Sequence, residues 1–265
     1  THTLKVAERS DIHIGRVDEL LPSLLPDSRV IVITDANIDR RQHSLLKDFE
    51  FIMIGTGESI KTLHTVETIY RRFVELGIDR SSFVLGIGGG IVTDITGFVA
   101  STYMRGLRFG FISTTLLGQV DASLGGKNGV NLDGYKNMVG TFNQPQFVIC
   151  DPSLLSTLPE REFRAGMAEI VKAGIIADHS LFERIERYPF EELRTDYDLL
   201  GEIILSAIKV KAEIVGRDER ESGERRKLNL GHTFAHAIEK LSMEMNHGEA
   251  VAVGTSLASR MAVQL

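Results

Sequence analysis

Apolar residues occur along this chain in two different textures. In the first half they form short unbroken runs. Arg29–Thr34 (RVIVIT) and Phe83–Ile87 (FVLGI) are rich in β-branched residues, as in strands buried on both faces of a parallel sheet. Between them, Ile60–Leu76 (IKTLHTVETIYRRFVEL) repeats its apolar positions at helical spacing and is closed by Gly77. Further strand-like runs follow at Phe109–Ile112 and Phe147–Cys150. The β-α-β order predicts an α/β domain with a mostly parallel sheet over residues 1–150.

From Asp151 the texture changes. Amphipathic helical patterns occupy Glu160–Ile176, Ser180–Arg187, Leu199–Val215, Thr233–Met243 and Glu249–Val263, which predicts an all-helical second domain over residues 151–265. Pro145 and Pro152 restrict the residues before them and punctuate the boundary. No internal repeat or low-complexity tract interrupts the pattern.

Composition narrows the function classes. With 265 residues, 43% hydrophobic and 25% charged, the chain can bury a large core in two modest domains. A net charge of -6 gives no reason to expect a nucleic-acid partner, and Arg225, Arg226 and Lys227 form the longest basic run. The sole cysteine, Cys150, allows neither an intrachain disulfide nor a cysteine-based zinc site. Without a basic leader or an 18-residue apolar segment, secretion and membrane spanning find no support, and the expected location is cytoplasmic. The chain begins at Thr1 and stops at Leu265 inside an apolar helical pattern without a capping signal, so further sequence is expected downstream.

Two groups of residues carry chemistry. Gly86-Ile87-Gly88-Gly89-Gly90-Ile91-Val92-Thr93-Asp94 follows a buried strand and opens a helix, a junction where backbone N–H groups and a helix N-terminus can cradle a phosphate; it does not match the GxGxxG fingerprint. The polar, glycine-rich segments after it, read as loops, hold Lys127 and Lys136, with Arg105 upstream, as candidate anion binders. The second group is nitrogen- and oxygen-rich. His232 and His236 lie four apart on a helix, and His247 and Glu169 add donors from other elements, giving three or four ligands that suit a catalytic zinc with an open position. Lys172 shares a helical face with Glu169, and Lys211, Arg225 and Asn229 extend a cationic, hydrogen-bonding wall.

The strings GGGxxxDxxGFxAxxYxRG (from Gly88), TTLLxQVDASxGGKxGVN (from Thr114), KNxxGxFxQPxxVxxD (from Lys136), LxTLPxREFxxGxAExxKxG (Leu155–Gly174), LNxGHTxxHAIE (Leu228–Glu239) and HGExVxxG (His247–Gly254) resemble 3-dehydroquinate synthase. The likeness covers nearly everything after residue 55. It implies a Rossmann-like NAD-binding α/β domain followed by a helical, metal- and substrate-binding domain. In the implied reaction, bound NAD oxidises an alcohol of 3-deoxy-D-arabino-heptulosonate 7-phosphate and phosphate is eliminated. The ketone is then reduced again and an intramolecular aldol addition closes the carbocycle.

By resemblance the metal, zinc or cobalt, falls to Glu169, His232 and His247, while His236 contacts the substrate phosphate. The substrate pocket falls to Arg105, Asp121, Lys127, Asn137, Lys172, Lys211, Arg225, Asn229 and His236. NAD falls to Asp35, Asn37, Gly57, Glu58, Lys61, Gly89, Gly90, Ile91, Val92, Asp94, Thr114, Thr115, Lys127, Lys136, Leu154, Thr157, Leu158 and Glu162. No dedicated side-chain base is implied, because the departing phosphate assists its own elimination. A homodimer is the family expectation. This sequence departs in placing Gly118 where alanine is usual, and the family continues past Leu265 with helices that bring another substrate lysine. Three rivals stand beside this reading: another sugar phosphate cyclase of the 2-deoxy-scyllo-inosose synthase type, an iron-type polyol dehydrogenase, and a non-catalytic NAD- or metal-binding fragment.

Overall fold

A computed structural model describes residues 1–242 and 244–264. The chain runs β1 (His2–Val6), β2 (Ser10–Ile14), α1 (Val17–Leu24), β3 (Val30–Asp35), α2 (Ala36–Gln42), β4 (Glu50–Ile54), α3 (Leu63–Glu75), β5 (Phe83–Gly88), α4 (Gly90–Thr102) and β6 (Arg108–Ser113). It continues through β7 (Lys127–Leu132), β8 (Tyr135–Phe142) and β9 (Phe147–Cys150) into α5 (Glu160–Ala177), α6 (His179–Arg187), α7 (Phe190–Thr195), α8 (Tyr197–Arg217), α9 (His232–Leu241) and α10 (His247–Val263). Among the described residues no strand follows Cys150, as the change of texture predicts.

Seven strands form one sheet in the order β1-β2-β9-β6-β5-β3-β4, parallel throughout except for the antiparallel edge strand β1. The unbroken apolar runs are explained by burial on both faces. Ile31, Ile33, Val84, Phe109 and Phe111 pack toward α3 and α4, whereas Val32, Phe83, Leu85, Ile87 and Ile112 face α1 and α2. The first of these clusters continues into the helical half through Leu200, Ile204 and Ile208, so the sheet and helices share apolar packing. Strand order reverses between β3 and β5, and ligand sites of such sheets lie at the carboxyl ends of the strands flanking that reversal.

Several elements differ from the expectation. The Ile60–Leu76 helix starts only at Leu63, because Thr62 caps it by accepting from the Thr65 N–H at 3.3 Å; Glu58–Ile60 is a separate 3₁₀ turn. The segment after Gly126 is not loop: β7 and β8 form an antiparallel hairpin through Asp133 (φ 49°) and Gly134 (φ 80°). An Asp-Gly pair with both φ values positive is the turn that two-residue hairpins favour. Strands β1, β2 and β4 and the short helices α1, α2 and α7 also lay outside the expectation. The helix expected over Thr233–Met243 runs from His232 to Leu241, and Met243 lies outside the described residues.

Asp151 ties the two halves of the chain at the end of β9. Its buried carboxylate accepts from the Val17 N–H at 2.9 Å and from the Ser153 N–H and hydroxyl at 2.9 and 2.7 Å, while its carbonyl accepts from Gln119. Asp151→Ala leaves one buried and one part-buried N–H group without partners, and urea unfolding is expected to show a loss of about 1–3 kcal/mol, with part of it recovered in Asp151→Asn.

Candidate functional site

Glu169 lies in the middle of α5, His232 is the first residue of α9 and His247 the first of α10. The starts of both His-bearing helices are fixed locally. Gly231 precedes α9 with φ 79°, and Asn246 caps α10 in a reciprocal capping box with Glu249. Close main-chain approach brings the elements together: a Cβ on Gly248 would sit 2.3 Å from Ala165 Cα, and one on Gly231 would sit 2.4 Å from the Thr255 nitrogen. As a result Glu169, His232 and His247 each offer a ligand atom within 4.8 Å of the others.

The donors are set up for a cation. Glu169 is 4% exposed, and its Oε1 is buried with no hydrogen-bond partner. His247 Nε2 faces that oxygen at 4.0 Å, and the His232 ring turns Nδ1 toward the Leu230 carbonyl at 3.4 Å. Burial, helped by the Lys172 charge, lowers His232 to about 4, so the ring is neutral at ordinary pH, the form that ligates. Burial also works against protonated His247, but the Glu239 hydrogen bond and the Glu169 charge raise it above its ordinary value. Two imidazole nitrogens and one carboxylate oxygen fit a zinc or cobalt site that keeps a position open. His236, admitted by spacing alone, is exposed one turn further along α9 and lies outside this cluster.

Buried cations stand beside it. Lys172 pairs with Glu169 Oε2, and Lys211 donates to the Asp121 carbonyl at 2.6 Å and to its Oδ1 at 2.5 Å. Asp121, Glu169, Lys172 and Lys211 line one small cavity with Val120, Ala173, Ala207 and Leu228. Burial raises Glu169 and lowers Lys211; it would raise Asp121 as well, but Lys211 and Lys172 hold that carboxyl below its usual range. Asp121 sits on a single π-helical turn, Gly118–Ala122, a feature frequent at functional sites. Arg225 is buried and donates to the carbonyls of Gly125 and Glu219. Lys127 and Asn229 meet on the carboxylate of Glu221, a residue the sequence reading did not single out; nothing in its surface-like local sequence marks it. Arg105 is exposed in a left-handed turn (φ 69°) at the far end of α4 and forms no hydrogen bond or ion pair among the described residues.

The residues expected at the cofactor gather at the carboxyl ends of the strands. Gly89 caps α4 without a side-chain bond, which leaves its first N–H groups open to an anion. A Cβ on Gly89 would lie 2.8 Å from Thr115 Cγ2, and one on Gly90 2.9 Å from Ala122 Cβ, so the loop needs glycine to pass the 114–122 segment. The Thr114 N–H donates to the Gly88 carbonyl at 3.0 Å, and Ile91 and Val92 form the first turn of α4. Lys61, 5% exposed, bridges Asp94 at 2.5 Å and Asn137 at 2.6 Å. Burial raises Asp94 to about 6 even with Lys61 beside it. Glu58 accepts from Asn131, and Gly57 adopts φ 84° before it. Asp35 caps α2 by accepting from the Asn37 and Ile38 N–H groups. Leu154 and Thr157 are held by Gln42 of α2, Leu158 precedes α5, and Glu162 lies in the first turn of α5. Lys136 instead reaches across to Glu239.

Comparison with known proteins agrees with this geometry. Residues 51–165 match the family model for the 3-dehydroquinate synthase N-terminal region and 166–265 that for its C-terminal region. The 3-dehydroquinate synthase of a Synechococcus species is 45% identical over 250 residues, covering 90% of this chain and 68% of its own length. Other 3-dehydroquinate synthases are spanned over as little as 59% of theirs. Among solved structures, 2-deoxy-scyllo-inosose synthase complexed with carbaglucose-6-phosphate, NAD+ and Co2+ superposes with a TM-score of 0.87 at 30% identity, covering 98% of this chain and 78% of that one. The 2-epi-5-epi-valiolone synthase of Streptomyces hygroscopicus, with NAD+ and Zn2+ bound, gives 0.86 at 30% identity, covering 94% and 73%.

Two outcomes follow from the ligand cluster. Glu169→Ala and His232→Ala are each expected to abolish stoichiometric zinc binding, read by metal analysis after dialysis; retained zinc in either would refute the set. The second concerns the metal-free chain. His232 takes its proton near pH 4 in the fold but near 6.5 when unfolded, so unfolding binds a proton between these values and stability rises with pH across that window. His232→Gln should flatten this part of the urea-midpoint profile. The difference from wild type isolates His232 from His247, whose raised value acts in the opposite sense.

Proposed function

The chain belongs to the 3-dehydroquinate synthase family, and from that premise we propose that it converts 3-deoxy-D-arabino-heptulosonate 7-phosphate into 3-dehydroquinate and phosphate. The reaction would be a phosphate-eliminating carbon–oxygen cleavage of the lyase type, with NAD and one zinc or cobalt ion as cofactors. The observation that carries this reading is the meeting of Glu169, His232 and His247 beside the buried cations Lys172 and Lys211. A homodimer, a cytoplasmic location and a division into an NAD-binding part (1–150) and a metal- and substrate-binding part (151–265) belong to the same proposal.

When bound, the metal would supply Lewis acidity toward substrate hydroxyls and NAD would accept and return a hydride. The chain's own side chains bind and orient. Lys172 and Lys211, each paired with a carboxylate, place their ammonium groups in a small cavity that Val120, Ala173, Ala207 and Leu228 also wall, where a charge would act more strongly on a substrate anion than in water. Asp121 holds Lys211 in place and opposes the lowering of its pKa by burial. Arg225 is anchored by main-chain carbonyls, which fixes the direction of its guanidinium before substrate arrives. Lys127 and Asn229 hold the Glu221 carboxylate, and an anionic substrate group would take that place on the same donors. Asn137, Lys61 and Asp94 already form one network, so residues proposed for NAD and for substrate share hydrogen bonds. Arg105 stands apart from these groups and has no role in this proposal.

A second reading keeps the cofactors and changes the substrate: the likeness to 2-deoxy-scyllo-inosose synthase favours cyclisation of a hexose 6-phosphate. One panel separates the alternatives. With zinc or cobalt and NAD, the chain is expected to release phosphate from the heptulosonate phosphate without net NADH. Release from a hexose 6-phosphate alone would support the second reading, and sustained NADH from a polyol would overturn both in favour of a dehydrogenase. Lys172→Ala and Lys211→Ala should each lower the rate by about 100-fold or more.

A further inference from the structure

The helix that begins at His232 carries a further acidic residue, Glu239, to which the proposed ligand set gives no role. Seven residues is about two helical turns, so Glu239 returns to the face of α9 that His232 occupies. Its side chain is only 9% exposed. A single oxygen, Oε1, accepts from His247 Nδ1 at 3.3 Å and from Lys136 Nζ, on the β7–β8 hairpin, at 2.8 Å. With its proton on Nδ1 and given to Glu239, a neutral imidazole carries its lone pair on Nε2, the nitrogen that faces Glu169. His232 is arranged alike, but its Nδ1 faces a main-chain carbonyl. One of the two imidazoles is thus oriented by backbone and the other by a side chain.

We infer that Glu239 is a positioning residue of the metal site, fixing the tautomer and ring orientation of His247, and that Lys136 moderates it by drawing on the same oxygen. The inference rests on the reading of Glu169, His232 and His247 as metal ligands. A carboxylate behind a ligating imidazole fixes its orientation and raises its basicity, and losing one typically lowers metal affinity about 10–100-fold. Lys136 pulls charge away from that hydrogen bond. Removing the lysine leaves the whole carboxylate to His247 and does not weaken the metal. A plain cross-link between hairpin and α9 behaves differently, because cutting either end of it has the same effect.

The test is zinc affinity of the whole chain, measured by competition with a chromophoric chelator, with urea unfolding of the metal-free protein alongside. Glu239→Ala is expected to lose about 10–100-fold in affinity while its metal-free unfolding midpoint stays close to wild type. Glu239→Gln, whose amide oxygen still accepts from Nδ1, is expected to lose less, and Lys136→Met to bind at least as tightly as wild type. Wild-type affinity in both Glu239 variants, or equal losses in Glu239→Ala and Lys136→Met, would overturn the inference. A wild-type chain that binds no zinc, or His232→Ala that still binds it, would sink the ligand set itself and the inference with it.

Discussion

The contact of α10 with α5 and α9 is made by main chain, because Gly248 lies against Ala165 and Gly231 against Gly254 and Thr255. Helices separated by ordinary side chains stand about 8–10 Å apart, too far for short His and Glu side chains on three of them to share one point. Glycine removes that spacing. The two histidines also open their helices, so their positions are set by caps, Gly231 in a left-handed conformation and Asn246 in its capping box, rather than by deep packing. The ligand cluster is therefore a product of local chain geometry as much as of the apolar core beneath it.

Beside that cluster the molecule buries charge in alternation: Lys172 on Glu169, Lys211 on Asp121. Taking such ions out of water costs several kcal/mol each, and apolar replacements of similar volume are often as stable. Stability alone does not account for these pairs, and the proposed oxygen-rich substrate would give them a use. Each cation is held by one carboxylate and keeps donors for another. The glycine loop before α4, which packs against the 114–122 segment, follows the same logic, since the α4 N-terminus leaves its N–H groups uncapped.

Much of this was legible in the sequence, and for identifiable reasons. RVIVIT and FVLGI read as buried parallel strands because both faces are covered, and the change at Asp151 is the disappearance of such unbroken runs in favour of helical spacing, which the packing respects. The hairpin was missed because glycine and polar residues dominate it, although its Asp133-Gly134 turn carried the signal. Strand β4 was overlooked because it is a short, half-exposed edge. Helical spacing nominated His236 beside His232, the resemblance pointed instead to Glu169 and His247, and the placement of α5 and α10, set by Gly231 and Gly248 beside the two histidines, brings that set together. Glu221 and Glu239 act through partners about 90 to 100 residues away in sequence, Lys127 and Lys136, and no local pattern records such pairing.

The hairpin grips the helical half through those same two lysines, whose side chains are 47% and 49% exposed, whereas the Lys211 side chain, 10% exposed, meets a half-buried Asp121. Exposed pairs are screened within a Debye length of about 8 Å at physiological ionic strength, and buried ones far less. Dissolved salt therefore reaches the Lys127 and Lys136 ammonium groups more readily than that of Lys211, which sets the two hairpin contacts apart from the inner one in their response to ionic strength.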